Sequence, residues 1–186
     1  MPESKTVLLI MDYQQALVER LANEALISAA SRAVGAAREK GIPVMFVRVA
    51  FRPGFPEVAS SNSIFGGITQ AGDAMYQDSP TTQIYEALEP RDSEPVVLKR
   101  RVSAFSGSDL DVLLRAAKAE HLVLAGIATG GVVLSTVRQA SDLDFKLTVL
   151  EDACADPDPE VHRVLNEKIF PRMATITSTD DWIASL

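Results

Sequence analysis

One cysteine, Cys154, is all the thiol this chain carries, so an internal disulfide is excluded. No charged-then-apolar leader opens the sequence, and no apolar run is long enough to span a bilayer. These absences together predict a cytoplasmic protein with no membrane partner. Positive charge is scarce as well: 18 Lys and Arg stand against 25 Asp and Glu, a net charge of −7. Nucleic-acid binding needs clustered cations, and the one basic run, Lys99-Arg100-Arg101, is too short to track a groove. Internal repeats and low-complexity tracts are missing too. The glycines do not fall as G-x-G-x-x-G, and no Gly-Lys-Ser/Thr follows them, which excludes the dinucleotide fingerprint and the P-loop.

What is present is an ordinary globular composition. The 186 residues, 47% of them apolar, suffice for one domain (1–186) with a substantial core. Short apolar runs alternate with helical patterns. Strands are expected at Thr6 to Met11, Ile42 to Val49, Pro95 to Leu98, Leu122 to Ile127, Phe145 to Leu150 and Ala174 to Thr177. Helices are expected from Ala16 to Lys40 with a break near Asn23, then Leu110 to Ala119 capped by Ser108, Val132 to Leu143, and Pro159 to Ile169. Strands apolar on both faces that alternate with helices imply an α/β protein. Its expected architecture is a three-layer αβα, doubly wound, mostly parallel six-stranded sheet. The stretch from Ala50 to Thr82 stands apart, rich in Pro, Gly and aromatics. A loop of that length is a functional lid or an oligomer contact.

In such a sheet, ligands sit beyond the carboxyl ends of the strands, where strand order reverses. Asp12 follows the first strand, with Gln14 two residues on. Lys99 follows the third. Thr129-Gly130-Gly131 follows the fourth and opens a helix. Asp12 is either a solvated turn residue capping the next helix or a buried carboxylate fit for acid-base work beside Lys99. Lys99 is either a solvated lysine after an edge strand or that partner. Two glycines in a row at a helix start mean close backbone approach, to a ligand or in helix-on-sheet packing.

Four segments, in order, make the whole chain resemble the isochorismatase-like (cysteine) hydrolase superfamily. They are Leu8-Leu9-Ile10-Met11-Asp12-Tyr13-Gln14, Val97-Leu98-Lys99-Arg100-Arg101-Val102-Ser103-Ala104-Phe105, Ala125-Gly126-Ile127-Ala128-Thr129 leading into Leu134-Ser135-Thr136-Val137-Arg138, and Val149-Leu150-Glu151-Asp152-Ala153-Cys154-Ala155-Asp156. The resemblance implies an isochorismatase-like fold and a catalytic Asp, Lys and Cys. Asp12 and Lys99 match the first two, and the nucleophile position falls on Val132. It further implies a non-proline cis peptide at Ile127-Ala128 and a homodimer or higher homo-oligomer.

Val132 has no lone pair, so the covalent route of the thiol hydrolases is closed there. Cys154 reads as a small buried hydrophobe. Thr129 and Ser103 lie near the expected site without a histidine to activate them, because His121 and His162 fall at a strand entrance and in a late helix. Isochorismatases, one branch of the superfamily, work without the thiol: an Asp donates a proton to a vinyl ether and water attacks. By that resemblance Asp12 is the acid and Lys99 holds charge and orients a small, carboxylated substrate. Gln14, Ala128, Thr129, Gly130, Gly131, Phe51 and Arg52 are the expected substrate- and oxyanion-binding residues, with Arg48 and Arg52 free for a carboxylate or for surface salt bridges. Nicotinamidases of the superfamily hold zinc with Asp and His after the second strand. The segment Arg48 to Gly54 has neither, so no metal is expected, and no cofactor. A member that binds without turnover is the rival reading. A structural subunit with a filled cleft beside Asp12 is a third.

Overall fold

The first strand buries alternate side chains on opposite faces. Val7, Leu9 and Met11 enter one apolar cluster, and Leu8 and Ile10 the other. That double burial is what a helix-covered parallel sheet requires. The computed structural model, which describes residues 5–21 and 23–186, has six strands. They are β1 (Thr6–Met11), β2 (Val44–Val49), β3 (Val96–Lys99), β4 (His121–Ile127), β5 (Lys146–Ala155) and β6 (Thr175–Thr177). Their order is β3-β2-β1-β4-β5-β6, and every pairing is parallel. Strand order reverses between β1 and β4, where Met11 lies beside Gly126.

The helices are α1 (Gln15–Leu21), α2 (Glu24–Glu39), α3 (Leu110–Ala116), α4 (Leu134–Asp142), α5 (Pro159–Val164) and α6 (Thr179–Ala184). Leu26, Ala30, Ala33 and Val34 of α2 and Trp182 of α6 cover one face of the sheet. Leu110 and Leu114 of α3 and Val137 and Ala140 of α4 cover the other. The break between α1 and α2 falls at Asn23, whose side chain accepts the Leu26 N–H at 3.1 Å.

The sequence reading differs from the structure in three places that matter. The segment that opens α4 is a π-helical turn over Thr129–Val133, so regular helix starts two residues later than expected. Asp109, one residue later than expected, holds the position before α3 and makes no side-chain bond; the Ser108 hydroxyl still accepts the Leu110 N–H at 3.3 Å, as a cap does, and donates to the Ala104 carbonyl at 2.6 Å. Finally, β5 runs on to Ala155 instead of ending at Leu150. Its register against β4 slips after Leu124, so Cys154 lies opposite Gly126 inside the strand.

Of the two glycines the sequence singles out, Gly130 is closely approached, since a Cβ there would meet Val161 Cγ1 at 2.9 Å and Asp156 Oδ2 at 3.1 Å, and Gly126 is a further such position. A Cβ on Gly126 would meet Val133 Cγ2 at 2.9 Å and the Met11 carbonyl oxygen at 3.2 Å. A Cβ on Gly131 meets only Ala128 Cβ, at 3.9 Å. Gly126→Ala is therefore expected to destabilise by about 1–3 kcal/mol through overpacking. Gly131→Ala is expected to be neutral or stabilising by up to about 1 kcal/mol. Urea unfolding of the two variants checks the contrast.

Candidate functional site

Asp12 leaves β1 with φ 58°, a left-handed conformation that aspartate tolerates better than most residues. Its amide donates to the Val47 carbonyl at 2.8 Å, which pins the turn to β2. Lys99 ends β3 on the same edge of the sheet. Its Nζ reaches Asp12 Oδ2 at 2.9 Å and donates to the Arg101 carbonyl at 3.0 Å. Both side chains are buried, Lys99 at 2% exposure and Asp12 at 5%. The second Asp12 oxygen, Oδ1, is buried without a protein partner. Burial raises the Asp12 carboxyl above its ordinary value, and the Lys99 cation and its hydrogen bond offset that rise in part.

The pair lies at a cavity of about 430 Å³. Leu17, Arg20 and Leu21 of α1 line it from one side, at helical spacing i, i+3, i+4. Val49, Phe65 and Val102 line it from another, and Ile127, Ala128, Gly131 and Val132 form the strand-to-helix side. The Ile127-Ala128 peptide is cis, as the resemblance implied. The cleft beside Asp12 is thus open, which counts against a subunit with a filled cleft.

The loop from Ala50 to Thr82 folds over Phe51, Phe55 and Phe65 as a small aromatic cluster. The basic run fastens it. Arg100 bonds the Ala50 carbonyl and Gln77 Oε1. Arg101 donates to the Glu57 carbonyl at 2.7 Å and stacks its guanidinium 5.7 Å from the Phe65 ring centre.

Comparison with known proteins accords with this geometry. The isochorismatase domain matches residues 6–181. The chain belongs to the isochorismatase family. Isochorismatase-family protein YecD of Escherichia coli O157:H7 is 30% identical to it over 97% of this chain and 96% of its own length. Ureidoacrylate amidohydrolase RutB of Yersinia enterocolitica is 28% identical over 86% of this chain and 79% of its own. The solved cysteine hydrolase of Pseudomonas syringae pv. phaseolicola superposes with a TM-score of 0.87, covering 97% of this chain and 91% of that one, at 22% identity. The last match speaks for the fold.

Within this isochorismatase-family hydrolase, Asp12, Lys99, Ala128, Gly131 and Val132 meet at the cavity. The other expected binding residues lie outside its lining, each for a visible reason. Gln14 is buried and fully engaged: Nε2 donates to the Val49 and Thr82 carbonyls, and Oε1 accepts the Val49 N–H, all at 2.9 Å. It ties the loop to β2 and is not among the residues that line the cavity. Phe51 is fully buried behind Phe65. Arg52 points to solvent and pairs with Glu57 at 2.5 Å, the surface-bridge reading. Arg48 donates to the Gln77 carbonyl at 2.9 Å. Gly130 spends its N–H on Asp156 Oδ2 at 2.7 Å.

Thr129 is fully buried, and its Oγ1 lies 2.8 Å from His162 Nδ1. A histidine does therefore reach this threonine, contrary to the sequence reading, because the segment after β5 returns over the π-turn. Burial leaves that hydroxyl a structural role. Ser103 bonds Gln139 Oε1 at 2.7 Å. Cys154 is buried, and burial pushes its thiol up to about 12, which suits a core residue.

Arg20, Leu17, Leu21 and Pro157 were missed in the sequence. The signal for the first three was available: α1 follows Asp12 directly, so its inner face must overlook the switch point.

Proposed function

We propose that this hydrolase cleaves a small carboxylated molecule with Asp12, Lys99 and water, and without a covalent cysteine intermediate. The observation that carries the reading is the unpartnered Asp12 Oδ1, buried at the cavity beside Val132. A carboxyl whose proton affinity is raised by burial is suited to donate that proton. On a vinyl ether, Asp12 protonates the terminal carbon and an oxocarbenium ion forms. Water adds to it and returns a proton to Asp12, and the hemiketal then releases the alcohol. Lys99 holds the carboxylate that remains after donation. A carboxylated substrate is in keeping with the relative named for ureidoacrylate.

The test is turnover of a panel of carboxylated vinyl ethers and amides, with and without iodoacetamide. Hydrolysis that survives alkylation is expected, since Cys154 is buried. Loss of activity on alkylation would overturn the thiol-free route. Binding of panel members with no turnover would favour a non-catalytic binding protein, the reading that Val132 motivates. A second variant probes the machinery around that residue: Val132→Cys is expected to gain measurable amidase activity, read as ammonia release from amides that the parent leaves intact.

A further inference from the structure

We infer that the ligand of this cavity is an amphiphilic carboxylate, with its anionic end on Arg20 and its apolar body against Val49, Phe65, Ile127 and Val132. The inference concerns the substrate class of the site just described and rests on that reading only for turnover. Three lining residues carry charge: Asp12, Lys99 and Arg20. Lys99 Nζ is engaged within the protein, by Asp12 Oδ2 at 2.9 Å and by the Arg101 carbonyl at 3.0 Å. Arg20, an exposed residue on the lining of the cavity, has no ion pair or hydrogen bond among the described residues, so its charge is uncommitted.

The acidic residues next in sequence to Arg20 and to Pro157 accept hydrogen bonds from other groups. Glu19 Oε1 accepts from Gln15. Asp156 takes the Gly130 N–H on one oxygen and the Asp158 N–H on the other. The rest of the lining, from α1, Val49, the 50–82 loop, Val102, the Ile127 to Val132 side and Pro157, is nearly all apolar. A cavity of about 430 Å³ with this lining takes an apolar group of several carbons and leaves a planar guanidinium to grip two carboxylate oxygens. Arg20 also stands in the last turn of α1, where a cation favours the helix. That role affects stability and not ligand choice, so the two are separable.

The experiment is ligand-observed NMR titration of the full chain with cyclohexanecarboxylate, cyclohexyl methyl ketone and acetate, none of which has a bond to hydrolyse. The wild-type protein is expected to bind cyclohexanecarboxylate about tenfold or more tighter than either of the others. Arg20→Ala should erase the preference for the acid over the ketone while leaving ketone binding unchanged, and Arg20→Lys should keep part of it. A melting temperature for each variant separates ligand effects from the helix-end role. The inference is overturned if the preference for the acid survives Arg20→Ala. It is equally overturned if wild-type protein binds ketone or acetate as well as the acid, or binds none of the three. Because the probes are inert, failure of hydrolysis on the substrate panel leaves this result standing, and the reverse also holds.

Discussion

Asp12→Asn is expected to lower kcat/KM by at least about a thousandfold on any substrate the protein turns over, in the range of a lost general acid. The substitution keeps the shape of the side chain and removes its transferable proton. Among the described residues Asp12 is the one acid that lines the cavity, and its Oδ1 is the one buried, unpartnered side-chain oxygen there, so a neighbouring acid is not placed to take over. A thousandfold loss corresponds to about 4 kcal/mol of transition-state stabilisation. Steady-state kinetics give the answer, with a melting curve as control because Lys99 loses its counter-ion. Wild-type turnover in a folded Asp12→Asn protein would remove Asp12 from the chemistry.

Lys99→Met is expected to have the largest effect on stability. Removing one member of a buried pair leaves the other charge uncompensated, at a cost of about 3–5 kcal/mol. The direction of the pH dependence follows from the causes acting on Asp12. In the parent, burial raises its carboxyl and Lys99 partly restores it. Without the cation, burial acts alone and Asp12 titrates at higher pH. The folded state already holds this proton more tightly than the unfolded chain. Stability on this account falls as pH rises from the ordinary value of 3.8 to the folded value. In Lys99→Met that window stretches upward, so the variant's deficit should be largest near neutrality and shrink in acid. The alkaline limb of kcat/KM should likewise move to higher pH. Urea unfolding across pH measures the first effect. Adding Asp12→Asn to Lys99→Met should restore part of the stability, because the pair is then replaced by neutral groups. An unchanged pH dependence in Lys99→Met would mean the two groups are not coupled.

The pair itself was legible because its cause is local and topological. Thr6 to Met11 and Val96 to Lys99 are short apolar runs that end in a charge, and parallel order puts those ends on one edge. The cavity walls were less so. Gln14 looked like a ligand contact because it follows Asp12, yet three backbone groups of β2 and the 50–82 loop claim its amide. Gly130 looked like a free donor until Asp156, 26 residues on, returned to take its N–H. His162 lies 33 residues from Thr129 and still meets it. Each of these depends on how a distant segment comes back over the strand ends, which periodicity does not encode. The site's apolar character was hidden for the same reason: Leu17, Val49, Val102 and Ile127 look like core residues in sequence, and only their place at the rim of the core makes them a binding wall.

The three-residue basic run has a bearing on redesign. Lys99 faces the acid, Arg100 grips Ala50 and Gln77, and Arg101 grips Glu57 and covers Phe65. Floor and roof of the cavity therefore hang from adjacent links of one strand end. A loop transplanted between residues 50 and 82 from another scaffold would arrive without the carbonyls and the ring these arginines hold. Retargeting the pocket calls for exchanging loop and strand end as one module, or for confining changes to α1, whose inner face reaches the same cavity with no tie to that run.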